Sequence, residues 1–209
     1  MAIDEALLEA APRLGDPMLR FYGWSEPAAT FGYSQKYEEV AQWTKLRPLI
    51  RRPTGGGLVP HDTDWTYSLT VPAGHAWYSL TAQESYHRVH EWLHEAFAKI
   101  GVTTEVSSNC HKELPGQCFA GAEQFDLLLD GRKIAGAAQR RTRTGLLIQG
   151  SVQPPSQVNR IEWEKAVCAA ASARYGVEWI HFIFVKELQR RVGDLGKEKY
   201  SQDSHNQKR

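Results

Sequence analysis

The sequence predicts an α+β fold, a mixed and largely antiparallel sheet flanked by helices, on three observations. A helical signal runs from about Ala82 to Ile100, where Tyr86, Val89, Leu93, Ala96, Phe97 and Ile100 recur at spacings of three and four and Gly101 supplies a stop. Several short runs are rich in β-branched and aromatic residues, of which Trp65-Thr66-Tyr67-Ser68-Leu69-Thr70-Val71, ending at Pro72, is the clearest. Leu127-Leu128-Leu129 and Ile134-Ala135-Gly136, joined through Asp130-Gly131, carry the signal of a tight hairpin that starts its second strand near Lys133. In chain order, strands are expected over 19–24, 28–32, 65–71, 124–130, 133–138 and 146–152, with Leu49-Ile50 also reading as strand. A terminal helical region from about Ile161 presents Trp163, Ala166, Val167 and Ala170 to the sheet, and the polar tail from about Ser204 to Arg209 is expected to fray.

Composition narrows the class. The 209 residues, 42% hydrophobic and 23% charged, suit one sizeable domain spanning residues 1–209 with enough apolar material for a core. A net charge of +1 gives no reason to expect nucleic-acid binding, and no apolar run approaches the roughly 18 residues of a membrane helix. No secretory n-region and h-region opens the chain, and three cysteines, Cys110, Cys118 and Cys168, make no disulfide framework. A reducing, cytoplasmic setting is therefore expected.

The most informative segment is Arg51-Arg52-Pro53-Thr54-Gly55-Gly56-Gly57-Leu58-Val59-Pro60-His61-Asp62. Three consecutive glycines lose more backbone entropy on folding than other residues would, so they mark a place where something approaches the main chain closely. A glycine turn between two strands, with guanidinium forks at its mouth, can present N–H groups to an acidic or carbonyl-bearing ligand. An ordinary hairpin turn is the plainer reading. A second segment stands beside it: Asp130-Gly131-Arg132-Lys133-Ile134-Ala135-Gly136-Ala137-Ala138-Gln139-Arg140-Arg141, followed by Leu146-Leu147-Ile148-Gln149-Gly150-Ser151-Val152.

Together the two segments resemble the catalytic domain shared by lipoate–protein ligases, octanoyltransferases and biotin–protein ligases. Ala2-Ile3-Asp4-Glu5-Ala6-Leu7-Leu8 resembles the first helix of that family, and Phe21 to Gln35 its following strand and turn. Lys199-Tyr200-Ser201 with Asn206-Gln207-Lys208-Arg209 is similar to its closing signature. The resemblance implies a class II synthetase-like fold. Family members carry a short strand before the first helix, so a missing edge strand or a mis-assigned start at Met1 is expected.

The resemblance also implies a site. Lys133 matches a lysine that reaches the carbonyl of a fatty-acyl or lipoyl chain, and Gly55, Gly56, Gly57 and Gly136 match the glycines around the same pocket. Acyl transfer develops negative charge on that carbonyl oxygen, which a fixed ammonium and backbone N–H donors stabilise. Cys118-Phe119, 15 residues before Lys133, resembles the cysteine-dependent octanoyltransferases, in which a thiolate takes octanoate from an acyl carrier protein thioester and passes it to a lysine of a lipoyl-domain protein. That acceptor class includes the glycine cleavage H protein and dehydrogenase E2 subunits. Arg51 is expected to steer the acidic donor or a phosphate, and His61 to brace the loop or assist proton transfer.

The ligase branch is the alternative, with ATP and Mg where the transferase needs no cofactor. Gly57 favours it, since transferases carry arginine there; Pro53-Thr54 and Thr66-Tyr67-Ser68 favour the transferase, as does the expectation that these residues comprise a catalytic domain alone. Gln149 stands where both branches have histidine, and Pro60 replaces a larger apolar residue, departures that bear on nucleotide handling and pocket shape. The balance falls to the transferase, with biotin ligation third and a non-catalytic binder of acylated proteins behind it. A reading from another class rests on His90-Glu91-Trp92-Leu93-His94, a His-Glu-x-x-His zinc-hydrolase pattern on the best helix. That helix already has an apolar face, which the two histidines are expected to flank at its solvent edge, and a third ligand from His111 or Glu113 has no recognised spacing.

Overall fold

The computed structural model describes residues 1–112 and 116–208. Helix α1 (Ala2–Leu14), rich in Ala, Leu and Glu, ends at Gly15 in a positive-φ conformation. Strands β1 (Met18–Tyr22) and β2 (Ala28–Phe31), helix α2 (Tyr37–Trp43), and strands β3 (Leu49–Arg51), β4 (Val59–His61) and β5 (Trp65–Pro72) follow. Helix α3 (Ala82–Lys99) opens on a capping box: Glu84 N–H donates to the Thr81 hydroxyl at 3.2 Å and Thr81 N–H to the Glu84 carboxylate at 2.8 Å. Next come β6 (Glu105–Val106), β7 (His111–Lys112), β8 (Gly121–Ala122), β9 (Leu127–Leu129), β10 (Arg132–Arg141) and β11 (Gly145–Val152). Helix α4 (Arg160–Tyr175) is capped by the Asn159 side chain and closed by Gly176, and α5 (Lys186–Leu195) and α6 (Asp203–Asn206) complete the chain.

Six strands form an antiparallel sheet in the order β1-β5-β11-β10-β9-β6. In a second sheet β2 lies between β3, to which it runs parallel, and β4, to which it runs antiparallel. Alternation along β5 and β11 decides what each face meets. Trp65, Tyr67, Leu69, Val71, Leu146, Ile148 and Val152 join Val89, Leu93 and Phe97 of α3 and Trp163 and Val167 of α4 in the main core. The intervening Ser68 and Gln149 point to α1 and donate to its buried Asp4. Helix α1 packs Ala6, Leu7 and Ala10 against Leu188, Leu195 and Tyr200, so the C-terminal helices cover the opposite face. Among the described residues no helix is long and apolar enough to cross a membrane.

The hairpin over Asp130-Gly131 forms as expected, with positive φ at both positions (49° and 74°). The strand expected over 124–130 is shorter, because Phe125 holds φ 72° and breaks extended pairing. The glycine run is no hairpin turn: β3 and β4 flank β2 without pairing with each other, and the run crosses over the end of β2 between them. Nor does the tail from Ser204 fray as expected. Asn206 is buried, its side-chain oxygen accepts the Arg51 N–H at 3.0 Å, and its side-chain NH2 donates to the Tyr200 carbonyl at 3.0 Å. The terminal helical region is broken: after α4 the chain runs over 177–185 without regular structure, then forms α5, a π-helical turn at Gly196–Tyr200 and α6.

Asp4 ties this architecture together by accepting from Arg20 (2.5 Å), Tyr22 (3.2 Å), Ser68 (2.7 Å) and Gln149 (2.7 Å). Removing one partner of a buried ion pair strands the others, at about 3–5 kcal/mol. Asp4→Ala is expected to lose that much in urea denaturation and roughly 10 °C in thermal midpoint; a change under about 1 kcal/mol would show that the hub is not what holds α1 to the sheet.

Candidate active site

A cavity of about 530 Å³ opens between the glycine loop, the start of α3 and strands β10 and β11. Its wall includes Arg52, Gly55, Gly56, His61, Tyr86, Cys118, Phe119, Lys133, Gly136 and Gln149. Most of the residues singled out in the sequence therefore meet at one place.

The loop is pressed against the Cys118 segment by its own backbone. Leu58 N–H donates to the Gly116 carbonyl at 2.7 Å and Cys118 N–H to the Leu58 carbonyl at 3.1 Å. A Cβ built on Gly57 would stand 2.4 Å from the Gly116 oxygen, so no other residue fits there without displacing main chain. This contact brings the Gly57 N–H to the Cys118 sulfur at 3.2 Å. The thiol of Cys118 is partly exposed, and its side chain lines the cavity.

The two arginines before the loop part company. Arg51 was expected at the ligand, yet it lies outside the cavity wall and is nearly completely buried. All five N–H donors of its guanidinium are taken by backbone carbonyls: Tyr33 (2.7 Å), Gln35 (2.6 Å), His205 (3.1 Å), Asn206 (3.2 Å) and Lys208. No donor remains for a phosphate or carboxylate, and Arg51 serves instead to fasten the C-terminal segment. Arg52, one of the guanidinium forks read at the loop's mouth but given no role of its own, takes the place at the site. It donates to Thr30 Oγ1 (2.8 Å) and to the carbonyls of Gly55 (2.9 Å) and Gly57 (2.8 Å), and it faces the Cys118 sulfur. Burial pulls its guanidinium below the usual value, and the Cys118 sulfur and the Tyr22 phenol oppose that pull.

His61 has both ring nitrogens engaged, with Thr30 Oγ1 and Asp64 Oδ2 each at 2.8 Å, and its ring stacks on Trp24 at 4.2 Å. Asp64 Oδ2 also accepts from Thr66 (3.1 Å) and Ser151 (2.6 Å). These contacts hold His61 to β2 and to the turn before β5. Gln149 accepts from the Thr54 hydroxyl at 2.8 Å and donates to Asp4 at 2.7 Å, so one amide supplies both the acceptor and the donor that link loop to helix. Pro60 sits on β4, an edge strand, where a missing N–H is tolerated.

Lys133 lies at the start of β10, where a bulge between Lys133 and Ala135 interrupts the register with β9. Its ammonium pairs with the buried Asp126 at 2.7 Å and lies 5.4 Å from the centre of the Phe119 ring. A Cβ on Gly136 would come within 2.7 Å of the Lys133 Cε, so that glycine makes room for the lysine to fold back along its own strand. Asp126 and Tyr86, which holds the other Asp126 oxygen, were not singled out from sequence. An acid inside the apolar run Phe125-Asp126-Leu127 was the available signal.

The histidine pair does not make a metal site. His90 is completely buried and not at a solvent edge; its Nδ1–H donates to the Tyr86 carbonyl at 2.9 Å. His94 bonds Thr104 at 2.9 Å, and Glu91 pairs with Arg174 at 2.7 Å. Among the described residues no three His, Cys, Asp or Glu side chains gather as a metal set would. Glu113 and the His111 side chain, the expected third ligands, lie outside the described residues.

With the geometry in place, comparison with known proteins decides the family. Residues 1–169 match the lipoyl protein ligase A/B catalytic domain. The chain belongs to that family. It is 35% identical over 167 residues to octanoyltransferase LipM of Carboxydothermus hydrogenoformans, covering 77% of this chain and 62% of that protein. It is 31% identical over 165 residues to octanoyltransferase LipM of Bacillus subtilis, covering 73% and 59%. The match thus spans about three fifths of the length of these relatives. In fold it is similar to lipoate-protein ligase A bound with ATP (TM-score 0.81, 19% identity, 99% of this chain and 92% of that one). A bi-partite lipoate protein ligase of Thermoplasma acidophilum, from a study of that ligase and its E2 lipoyl domain, gives a TM-score of 0.72 at 18% identity, with 99% and 91% covered. The architecture is the class II synthetase-like fold of the lipoate-protein ligases.

Burial of His90 pushes its imidazole down to about 4. Between pH 6.5 and 4 the unfolded chain therefore takes up a proton that the folded chain refuses, so stability rises with pH across that window and is lost on acidification. The loss reaches about 3 kcal/mol near pH 4. Urea denaturation at pH 7 and pH 4 is expected to show a smaller acid penalty in His90→Gln by that amount; equal penalties would mean that His90 is charged in the fold.

Proposed function

We propose that this chain is a protein-lysine octanoyltransferase, moving an octanoyl or lipoyl group from an acyl carrier protein through Cys118 to a lysine of a lipoyl-domain protein. The observation that carries the reading is the placement of the Cys118 sulfur against the Gly57 N–H and the Arg52 guanidinium in the cavity that Lys133 lines. A fixed N–H donor and a buried cation meet the negative charge that a nucleophilic sulfur carries. The names of the LipM relatives support the same reaction.

In the first step the Cys118 sulfur attacks the thioester carbonyl of the donor. A new C–S bond forms, the donor C–S bond breaks, and the thiol proton ends on the departing carrier thiol. In the second step the ε-amine of the acceptor lysine attacks the acyl-Cys118 carbonyl. The C–N bond forms, the C–S bond breaks, and the amine proton restores the thiol. In both, Lys133 stabilises the charge on the carbonyl oxygen. The acyl chain lies along the apolar part of the wall, against Tyr86, Phe119 and Ala137. Acceptors of this chemistry include the glycine cleavage H protein and dehydrogenase E2 subunits, and a reducing cytoplasm would keep Cys118 a free thiol. The transferase needs no cofactor.

The second reading, an ATP- and Mg-dependent lipoate ligase, drew on Gly57 in place of a transferase arginine. The close approach of the Gly116 carbonyl gives Gly57 a packing reason of its own, which weakens that argument.

Intact-mass measurement after incubation with octanoyl-acyl carrier protein, without ATP, tests the proposal. The expected result is a hydroxylamine-labile gain of one octanoyl group that is absent in Cys118→Ala. No adduct, with lipoate transferred to a lipoyl domain once ATP and magnesium are added, would make the chain a ligase.

A further inference from the structure

Lys133 is held by more than the strand it stands on. The Asp126 carboxylate is fully buried and has three donors: Lys133 Nζ at 2.7 Å and the Glu123 N–H at 2.6 Å on one oxygen, the Tyr86 hydroxyl on the other. Tyr86 belongs to α3 and lines the cavity, so the carboxylate joins the helix to the β10 bulge beneath the lysine. Gly136 removes the one side chain that would push the ammonium away from Asp126, since a Cβ there would stand 2.9 Å from Nζ.

We infer that Asp126, itself held by Tyr86, is the positioning residue that aims the Lys133 ammonium at the acyl carbonyl. An ammonium has three donors, and among the described residues Asp126 uses one, leaving two for the cavity. An ammonium hydrogen-bonded to a buried carboxylate is fixed in place to stabilise an oxyanion. The proton lost by the incoming amine goes to the departing Cys118 sulfur. This inference rests on the proposed acyl transfer for the identity of the carbonyl it serves, while the pairing itself is independent of which branch of the family the chain follows.

The test is a double-mutant cycle on octanoyl transfer to a lipoyl domain, comparing the unmodified chain with Lys133→Met, Asp126→Asn and both together. If Asp126 acts through Lys133, each single substitution lowers kcat about a hundredfold with little change in KM, and the double variant is no slower than Lys133→Met alone. Wild-type kcat in Asp126→Asn, or losses that multiply in the double variant, would overturn the inference. Should Asp126→Asn fail to fold around its unpaired ammonium, Tyr86→Phe carries the test, because it keeps the ion pair and removes one hydrogen bond from the carboxylate. A fall in kcat of roughly fivefold is then expected, and an unchanged kcat would overturn it. The mass of Cys118 after exposure to the donor separates this outcome from failure of the cysteine mechanism: if only ATP-driven lipoate transfer is seen, the same cycle is run on that reaction.

Discussion

Main chain touching main chain at the end of β2 is the constraint on which the site depends. A Cβ on Gly32 would stand 1.9 Å from the Gly56 oxygen, and one on Gly57 would stand 2.4 Å from the Gly116 oxygen. The strand end, the glycine loop and the segment before Cys118 are thus stacked at distances that exclude any side chain between them. Only this approach lets the Gly57 N–H reach sulfur and lets Arg52 gather the carbonyls of Gly55 and Gly57 while holding Thr30. Gly56 at φ 82° then turns the loop in a conformation that a branched residue would strain.

Three buried carboxylates carry that local contact into the rest of the molecule. Asp4 joins α1 to β1, β5 and β11, and through Gln149 it reaches Thr54 of the loop. Asp64 fixes His61 and, with Thr66 and Ser151, the join between the two sheets. Asp126 fixes Lys133. A buried carboxylate is costly unless several donors surround it, so each of these residues forces its partners into one arrangement. The functional groups are therefore placed by polar contacts, whereas the apolar core of β5, β11, α3 and α4 supplies the platform on which those contacts are set.

The distinction explains what could be read from the sequence. Strand and helix patterns follow the alternation and spacing of apolar residues, so β5, β11, α3 and the Asp130-Gly131 hairpin were legible, whereas the strand expected over 124–130 is confined to Leu127–Leu129, its start lost where Phe125 adopts positive φ. The resemblance to a family brought Cys118, Lys133 and the glycines to one place in advance. The roles of Arg52, Asp126 and Tyr86 were not legible, because they depend on contacts with Thr30, Lys133 and one another that no local period records. His90 shows the same limit: its helix position was clear, but its depth beneath Tyr86 was not.

Arg51 and Arg52 show how far two adjacent, chemically identical residues diverge once backbone direction is fixed. Successive side chains leave an extended chain on opposite sides, so if Arg52 turns towards Thr30 and the loop carbonyls, Arg51 must turn away from them. What it meets there is the turn after β2 and residues 205–208, and five carbonyls saturate its guanidinium. Those C-terminal residues lie beyond the stretch that matches the family domain, which ends at residue 169. The first arginine thus fixes the glycine loop from behind by binding it to the C-terminal segment, while the second fixes it from the cavity side. A loop clamped on both sides needs little rearrangement to present its N–H to sulfur, and that preorganisation is what a charge-stabilising site requires.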